Sequence, residues 1–201
     1  MSTSDPKKIG AIILAAGASS RIGSPKALLD YHGETFIERL VRVFSAVCDP
    51  VVVALGYHAD AIRPKVKANV AVNPAPERGM LTSLQTALAT LPEDLDGFLF
   101  IPVDCPAVEE STVRRVIQNF RERPAGTQFV VPQFQGKHGH PVCADASLIA
   151  EFLALPEDGQ ARWVVHKYVP QTIYVDVDDP GILTDVDDPE AYRRMMAETR
   201  Q

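Results

Sequence analysis

Ile9-Gly-Ala-Ile-Ile-Leu-Ala-Ala-Gly-Ala-Ser-Ser-Arg-Ile-Gly-Ser-Pro-Lys26 is the stretch on which the fold turns. An apolar run, Ile9 to Leu14, breaks into a loop of alanines, glycines and serines that carries two cations, Arg21 and Lys26. A short apolar run bounded by such a loop reads as a buried strand. Small residues let a backbone wrap closely around phosphates, and the cations supply local positive charge. A connecting loop with two incidental basic residues is the alternative on composition alone. Lys7 and Lys8 ahead of the run give it the outline of a signal peptide. Its alanine and glycine content fits a strand entering a glycine loop better, and no stretch approaches the ~20 apolar residues that span a bilayer.

Outward from this strand the same punctuation recurs. Val51 to Leu55, Val70 to Val72, Phe98 to Ile101, Phe129 to Val131 and Ile173 to Val175 are further short apolar runs. Their apolarity is mostly continuous, as expected when helices cover both faces of a sheet. Between them, Phe36, Ile37, Leu40, Val41 and Phe44 recur at helical spacing. Leu81, Leu84, Leu88 and Leu91 form a second stripe, and Val113, Val116, Ile117 and Phe120 a third. Alternating strands and helices predict an α/β domain with a mostly parallel sheet. No linker interrupts it, so residues 8–201 read as one domain behind a flexible tail, Met1 to Lys7. Asp176-Val-Asp-Asp-Pro180 is repeated as Asp185-Val-Asp-Asp-Pro189. The second copy is expected to open a final helix through Met195, with Asp188 as cap and Pro189 in the first turn.

Composition narrows the classes. The 201 residues are 46% hydrophobic and 23% charged, enough apolar material for a core and too much for a disordered chain. Twenty basic against 26 acidic residues leave a net charge of −6, which argues against nonspecific binding to nucleic acid or an anionic membrane. Cys48, Cys105 and Cys143 are odd in number and form no C-x-x-C pair, so neither a disulfide framework nor a zinc knuckle is indicated. A reducing cytoplasm fits best. The first loop is not a dinucleotide fingerprint, because G-x-G-x-x-G is absent, nor a P-loop, because Lys26 follows Pro25.

The motif Leu14-Ala-Ala-Gly17 with Ser19, Arg21, Gly23 and Lys26 resembles the signature of nucleotidyltransferases that activate a phosphorylated acceptor with a nucleoside triphosphate. Asn73-Pro74 with Gly79-Met-Leu-Thr-Ser83, Pro102-Val-Asp-Cys-Pro106, Gly136-Lys-His-Gly-His-Pro-Val142 and Asp185-Val-Asp-Asp-Pro-Glu190 resemble the molybdenum cofactor cytidylyltransferase branch. They lie in the family's order along nearly the whole chain. The resemblance implies a single three-layer, Rossmann-like nucleotidyltransferase domain with a mostly parallel mixed sheet. It implies transfer of CMP from CTP to the terminal phosphate of the molybdenum cofactor, with release of pyrophosphate.

Residue roles follow from the same resemblance. Arg21, Lys26 and Asp104 would be catalytic, and Leu14, Ala15, Ala16, Gly17, Asn73 and Ser83 would join Arg21 and Lys26 in binding the nucleotide. Asp104 follows a buried run, and ligands of open α/β sheets gather at the carboxyl ends of strands, so a Mg²⁺ ligand fits there. A turn-starting aspartate before Pro106 fits equally well on the residues alone. Asp187 is the expected second ligand, since Mg²⁺ takes one or two carboxylates plus phosphate oxygens. Gly139 and His140 would lie where the acceptor enters. His138 and His140 share a spacing of two but lack further ligands for a transition metal. His32, His58 and His166 read as surface or packing residues. Cys105 lacks an identifiable base or oxyanion site, which argues against a catalytic thiol.

Guanylyl-transferring relatives typically read L-A-G-G where this chain reads Leu14-Ala15-Ala16-Gly17, and a methyl at Ala16 would crowd a purine more than a pyrimidine. Expected partners are CTP, a phosphorylated pterin and a molybdoenzyme that receives the product, with neither nucleic acid nor membrane. The alternatives are a relative using GTP or another base, one using a sugar phosphate, and a non-catalytic accessory protein that binds nucleotide or finished cofactor.

Overall fold

In the computed structural model, residues 8–198 are described. The expected tail, residues 1–7, lies outside them. The apolar run of the first motif is β1 (Ile9–Ala15), buried along its whole length. After the cationic loop, a short ribbon of β2 (Asp30–Tyr31) and β3 (Glu34–Thr35) leads into α1 (Phe36–Ser45). Thr35 and Glu38 close a reciprocal capping box at the start of α1. The chain then alternates through β4 (Val51–Leu55), α2 (Ala59–Ile62), β5 (Asn69–Val72), α3 (Met80–Leu88), β6 (Gly97–Pro102) and α4 (Glu110–Glu122). The second half holds β7 (Phe129–Phe134), β8 (Lys137–His138), β9 (Val142–Asp145), α5 (Ile149–Leu153), α6 (Ala161–Lys167), β10 (Thr172–Asp176) and α7 (Pro189–Glu198).

The strands order as β10-β7-β9-β6-β1-β4-β5, with β8 paired to β7. β1 lies parallel to β4 and β6, β4 to β5, and β7 to β10. β9 runs antiparallel to both β6 and β7, which makes the sheet mixed. Alternate residues of β1 enter two separate cores. Ile9, Ala11, Ile13 and Ala15 join Phe36, Leu40, Val116 and Met195 on one face, while Ile12 and Leu14 join Leu84, Phe98, Phe152 and Val164 on the other. This is the three-layer architecture expected from the continuous apolar runs. Each strand feeds both layers, so a polar residue anywhere in β1 would be buried without a partner.

The two copies of the aspartate repeat diverge. Pro180–Leu183 form a 3-10 turn capped by Asp179. Asp179 is only 3% exposed; its carboxylate accepts from the Gly181 N–H (2.8 Å), the Glu109 N–H (2.9 Å) and the Thr112 hydroxyl (2.7 Å). It therefore ties this turn to the start of α4. In the second copy Asp188 accepts from the backbone of Glu190 and Ala191, as the capping pattern predicts.

Candidate active site

The glycine loop leaves β1 at the centre of the sheet and is held on both sides. Ala16 accepts a hydrogen bond from the Tyr57 N–H (3.3 Å), and the Ala18 carbonyl pairs with His58 Nε2 (3.0 Å). These contacts lay the loop against the turn that follows β4. Gly56 is required in that turn, because a Cβ there would come within 2.7 Å of the Ala16 carbonyl oxygen and 2.9 Å of the Ala16 methyl. Ser19, at φ 54°, accepts from the Lys26 N–H through its hydroxyl (3.0 Å) and so fixes the far end of the loop.

At that end the ionic groups meet. Lys26 Nζ lies 2.9 Å from Asp104 Oδ2 and 2.8 Å from Asp187 Oδ1, and Arg21 Nη2 lies 3.1 Å from the same Asp187 oxygen. Asp104 stands just past β6. The Val186 N–H donates to the Asp104 carbonyl (2.8 Å), and Val186 is fully buried, so the segment bearing Asp187 is anchored beside Asp104. Burial works against the charge of Lys26, but its bonds to Asp187 and Asp104 outweigh this and hold its pKa above the ordinary value. The Lys26 bond in turn holds the Asp187 carboxyl below the usual carboxylate range, with Arg21 adding to it.

Two clefts open on this cluster. The first, of about 380 Å³, is lined by Leu14, Ala15, Ala16, Gly17, Arg21, Lys26 and Ser83 among the expected residues. It is charged at one end, through Arg21, Lys26, Asp104 and Asp187, while Tyr57, Ile62, Pro76 and Met80 supply apolar lining elsewhere. The second cleft, of about 820 Å³, is bounded by His138, Gly139, His140, His166 and Tyr174. Asp104 and Asp187 line both.

One expected contact is corrected. Asn73 does not line either cleft. It is 3% exposed, and its amide donates to Thr82 Oγ1 and Ser83 Oγ (both 2.9 Å) while its oxygen accepts from the Ala75 N–H (2.9 Å). It braces the start of α3 against the end of β5, and Ser83 alone of the pair reaches the cleft. Tyr57 and Met80, 45% and 58% exposed, escaped the sequence reading; both follow the ends of apolar or loop segments at the rim of the first cleft. His166, expected at the surface or in packing, lines the second cleft.

Gly139 serves packing as well as access. A Cβ there would fall 2.2 Å from the Ile182 carbonyl oxygen, which also accepts the His140 N–H (3.0 Å). Burial lowers the pKa of the His140 imidazole, against the pull of Asp104, and its Nδ1 is buried without a hydrogen-bond partner. His138 stacks on Tyr174 at 3.8 Å between ring centroids. Cys105 is buried, and burial together with the neighbouring Asp104 pushes its thiol pKa up, so it offers no thiolate.

The donors present suit a hard divalent cation, since two carboxylate oxygens converge on one point and no nitrogen or sulfur ligand joins them. Among the described residues no group of three or more histidines, cysteines and acids could hold a metal, so such an ion would depend on further oxygens from a ligand. No helix of the described residues is long and apolar enough to cross a membrane.

The chain is similar to several known proteins. A probable molybdenum cofactor guanylyltransferase of Rhodopirellula baltica is 34% identical over 64% of the chain, a stretch covering 62% of that relative. Nicotine blue oxidoreductase of Paenarthrobacter nicotinovorans is 28% identical over 98% of the chain and all of the relative. The molybdenum cofactor cytidylyltransferase of Escherichia coli is 22% identical over 92% of the chain and 93% of the relative. The crystal structure of Rv0371c from Mycobacterium tuberculosis superposes with a TM-score of 0.79 at 28% identity, covering 96% of this chain and all of that one. The same protein in complex with manganese superposes with a TM-score of 0.74 at 26% identity, over 94% and 98% of the two chains. Residues 11–172 match the MobA-like NTP transferase domain, and the chain belongs to that family.

Proposed function

We propose that this protein transfers CMP from CTP to the terminal phosphate of molybdopterin or the molybdenum cofactor. The observation that carries this reading is that both clefts share Asp104 and Asp187. A nucleotide in the first cleft and an acceptor in the second would present their phosphates to each other at that pair. Relatives named molybdenum cofactor guanylyltransferase and cytidylyltransferase support the acceptor. The choice of cytosine is supported by Ala16, which stands where guanylyl-transferring relatives typically carry glycine and is nearly buried at the cleft wall.

The acceptor phosphate oxygen attacks the α-phosphorus in line; the new O–P bond forms as the bond to the β-phosphate oxygen breaks, and pyrophosphate leaves with that electron pair. Catalysis of this kind rests on positioning and charge stabilisation. Arg21 and Lys26 neutralise the triphosphate and the departing pyrophosphate. Asp104 and Asp187 would hold Mg²⁺, which when bound supplies positive charge to phosphate oxygens. The manganese complex of Rv0371c is consistent with a divalent ion in this fold. Gly139 and His140 border the second cleft, where the acceptor would enter, and no protein nucleophile is required. A redox reading would rest on the name of one relative, and the first loop carries no dinucleotide fingerprint.

Pyrophosphate release from CTP, GTP and ATP, with Mg²⁺ and either molybdenum cofactor or a sugar phosphate, tests the proposal. Release specific to CTP and the pterin acceptor, and reduced at least about a hundredfold in Lys26→Ala, supports it. Preference for GTP or for a sugar phosphate would refute the base or acceptor assignment. Nucleotide binding without release under any acceptor would support a binding protein instead.

A further inference from the structure

Asp104 and Asp187 reach one another from distant parts of the chain, and both aim a carboxylate oxygen at a single positive atom, Lys26 Nζ, at 2.9 and 2.8 Å. The lysine side chain is 13% exposed and its ammonium bonds both carboxylates, which hold it between them. Two carboxylates facing each other repel unless a cation stands between them. A divalent ion held by this pair would draw on the same two oxygens that now meet the ammonium, at the point between them. Ammonium and metal cannot share that point.

We propose that Lys26 is a place-holding cation: in the nucleotide-free protein its ammonium occupies the carboxylate pair, and the ion loads only once Lys26 turns to the triphosphate. This rests on the reading of Asp104 and Asp187 as metal ligands. Metal affinity of the free protein is lowered by the free energy of displacing the lysine, and the triphosphate lifts that penalty by giving Lys26 other anions. By linkage, metal and nucleotide then strengthen each other's binding. The order also keeps the site from closing on a cation before a substrate is present. Arg21 differs in kind, because it touches Asp187 alone and its side chain is 64% exposed.

Mn²⁺ binding to the nucleotide-free protein, followed by loss of the free-ion electron paramagnetic resonance signal, tests this without turnover. Lys26→Met and Arg21→Met each remove one positive charge, and circular dichroism checks their folding. Lys26→Met is expected to bind Mn²⁺ at least about tenfold more tightly than wild type, and Arg21→Met no more than about threefold more tightly. Lys26→Gln replaces the methionine variant should that one not fold. Equal affinity in wild type and the Lys26 variant overturns the proposal, as does an equal gain in both variants, which would reflect net charge alone. No Mn²⁺ binding by any of them, with or without CTP, refutes the ligand assignment and the proposal with it.

Discussion

Gly17 and Gly56 lie on opposite sides of the same wall, and adding one methyl to each should separate the energetics of folding from those of binding. A Cβ at Gly56 would sit 2.7 Å from the Ala16 carbonyl oxygen, 2.7 Å from Pro76 Cβ and 2.9 Å from the Ala16 methyl. Ordinary carbon contacts need roughly 3.5–4.0 Å, so the loop and turn must part by about 1 Å. The Tyr57 N–H to Ala16 bond is already 3.3 Å long and would break. Overpacking costs about 1–3 kcal/mol and the lost hydrogen bond about 1 kcal/mol, giving roughly 2–4 kcal/mol for Gly56→Ala. For a chain of this size that lowers the melting temperature by on the order of 10 °C. At Gly17 a Cβ meets nothing within 4 Å and would project into open space where the residue lines the first cleft. Gly17→Ala should therefore leave stability within about 0.5 kcal/mol of wild type while weakening nucleotide binding about tenfold or more. Urea denaturation and isothermal titration with CTP measure the two effects. Equal stability of the two variants, or unchanged nucleotide affinity in Gly17→Ala, would refute the placement of the wall.

Further outcomes follow from other parts of the site. Asn73→Ala leaves the Thr82 and Ser83 hydroxyls and the Ala75 N–H without their buried partner, and should lower unfolding free energy by about 2–4 kcal/mol in a denaturant titration. A loss of nucleotide affinity with full stability would return Asn73 to a direct contact. Cys105→Ser should keep most activity, since the thiol is buried and protonated; a hundredfold loss in a rate assay would make it catalytic. Asp145 is held below the ordinary carboxylate value of 3.8 because its bonds from Ser147 and Arg123 outweigh the opposing effect of burial. A depressed carboxylate stabilises the fold above its unfolded pKa and ceases to do so as pH falls through the folded value. Asp145→Asn should thus cost roughly 1–2 kcal/mol at neutral pH, with the gap closing as the pH drops below 3.8, and a gap that persists in acid contradicts the ion pair.

The parallel half of the sheet was legible because β1, β4 and β6 are buried on both faces and so read as unbroken apolar runs. β9 was not, because Val142–Asp145 is four residues long, follows a glycine-rich segment and pairs antiparallel between two strands that the sequence brings no closer. The ribbon of β2 and β3 escaped for a similar reason: two-residue strands carry no periodicity, and only His32 and Gly33, both at positive φ, mark the turn. At the site, Arg21, Lys26 and Asp104 were expected from the family's pattern, whereas on the residues alone a connecting loop and a turn-starting aspartate fitted equally well. Tyr57 and Met80 were not, since an apolar residue at a cleft has the same appearance in sequence as one in the core. Asn73 was expected at the nucleotide from its place in the family's pattern, whereas its side-chain hydrogen bonds go to Thr82 and Ser83 of α3 and to the Ala75 N–H.

The most direct measurement follows the α-phosphate of the nucleotide. CTP carrying radioactive phosphorus at that position is incubated with Mg²⁺, molybdenum cofactor and either wild type or Asp104→Asn, and the pterin product is isolated. Label in the pterin product with wild type, reduced by two orders of magnitude or more in the folded variant, is the result expected if the carboxylate pair joins the two clefts in one transfer reaction. Label that remains in free nucleotide with wild type, or reaches the product equally well with Asp104→Asn, would contradict it.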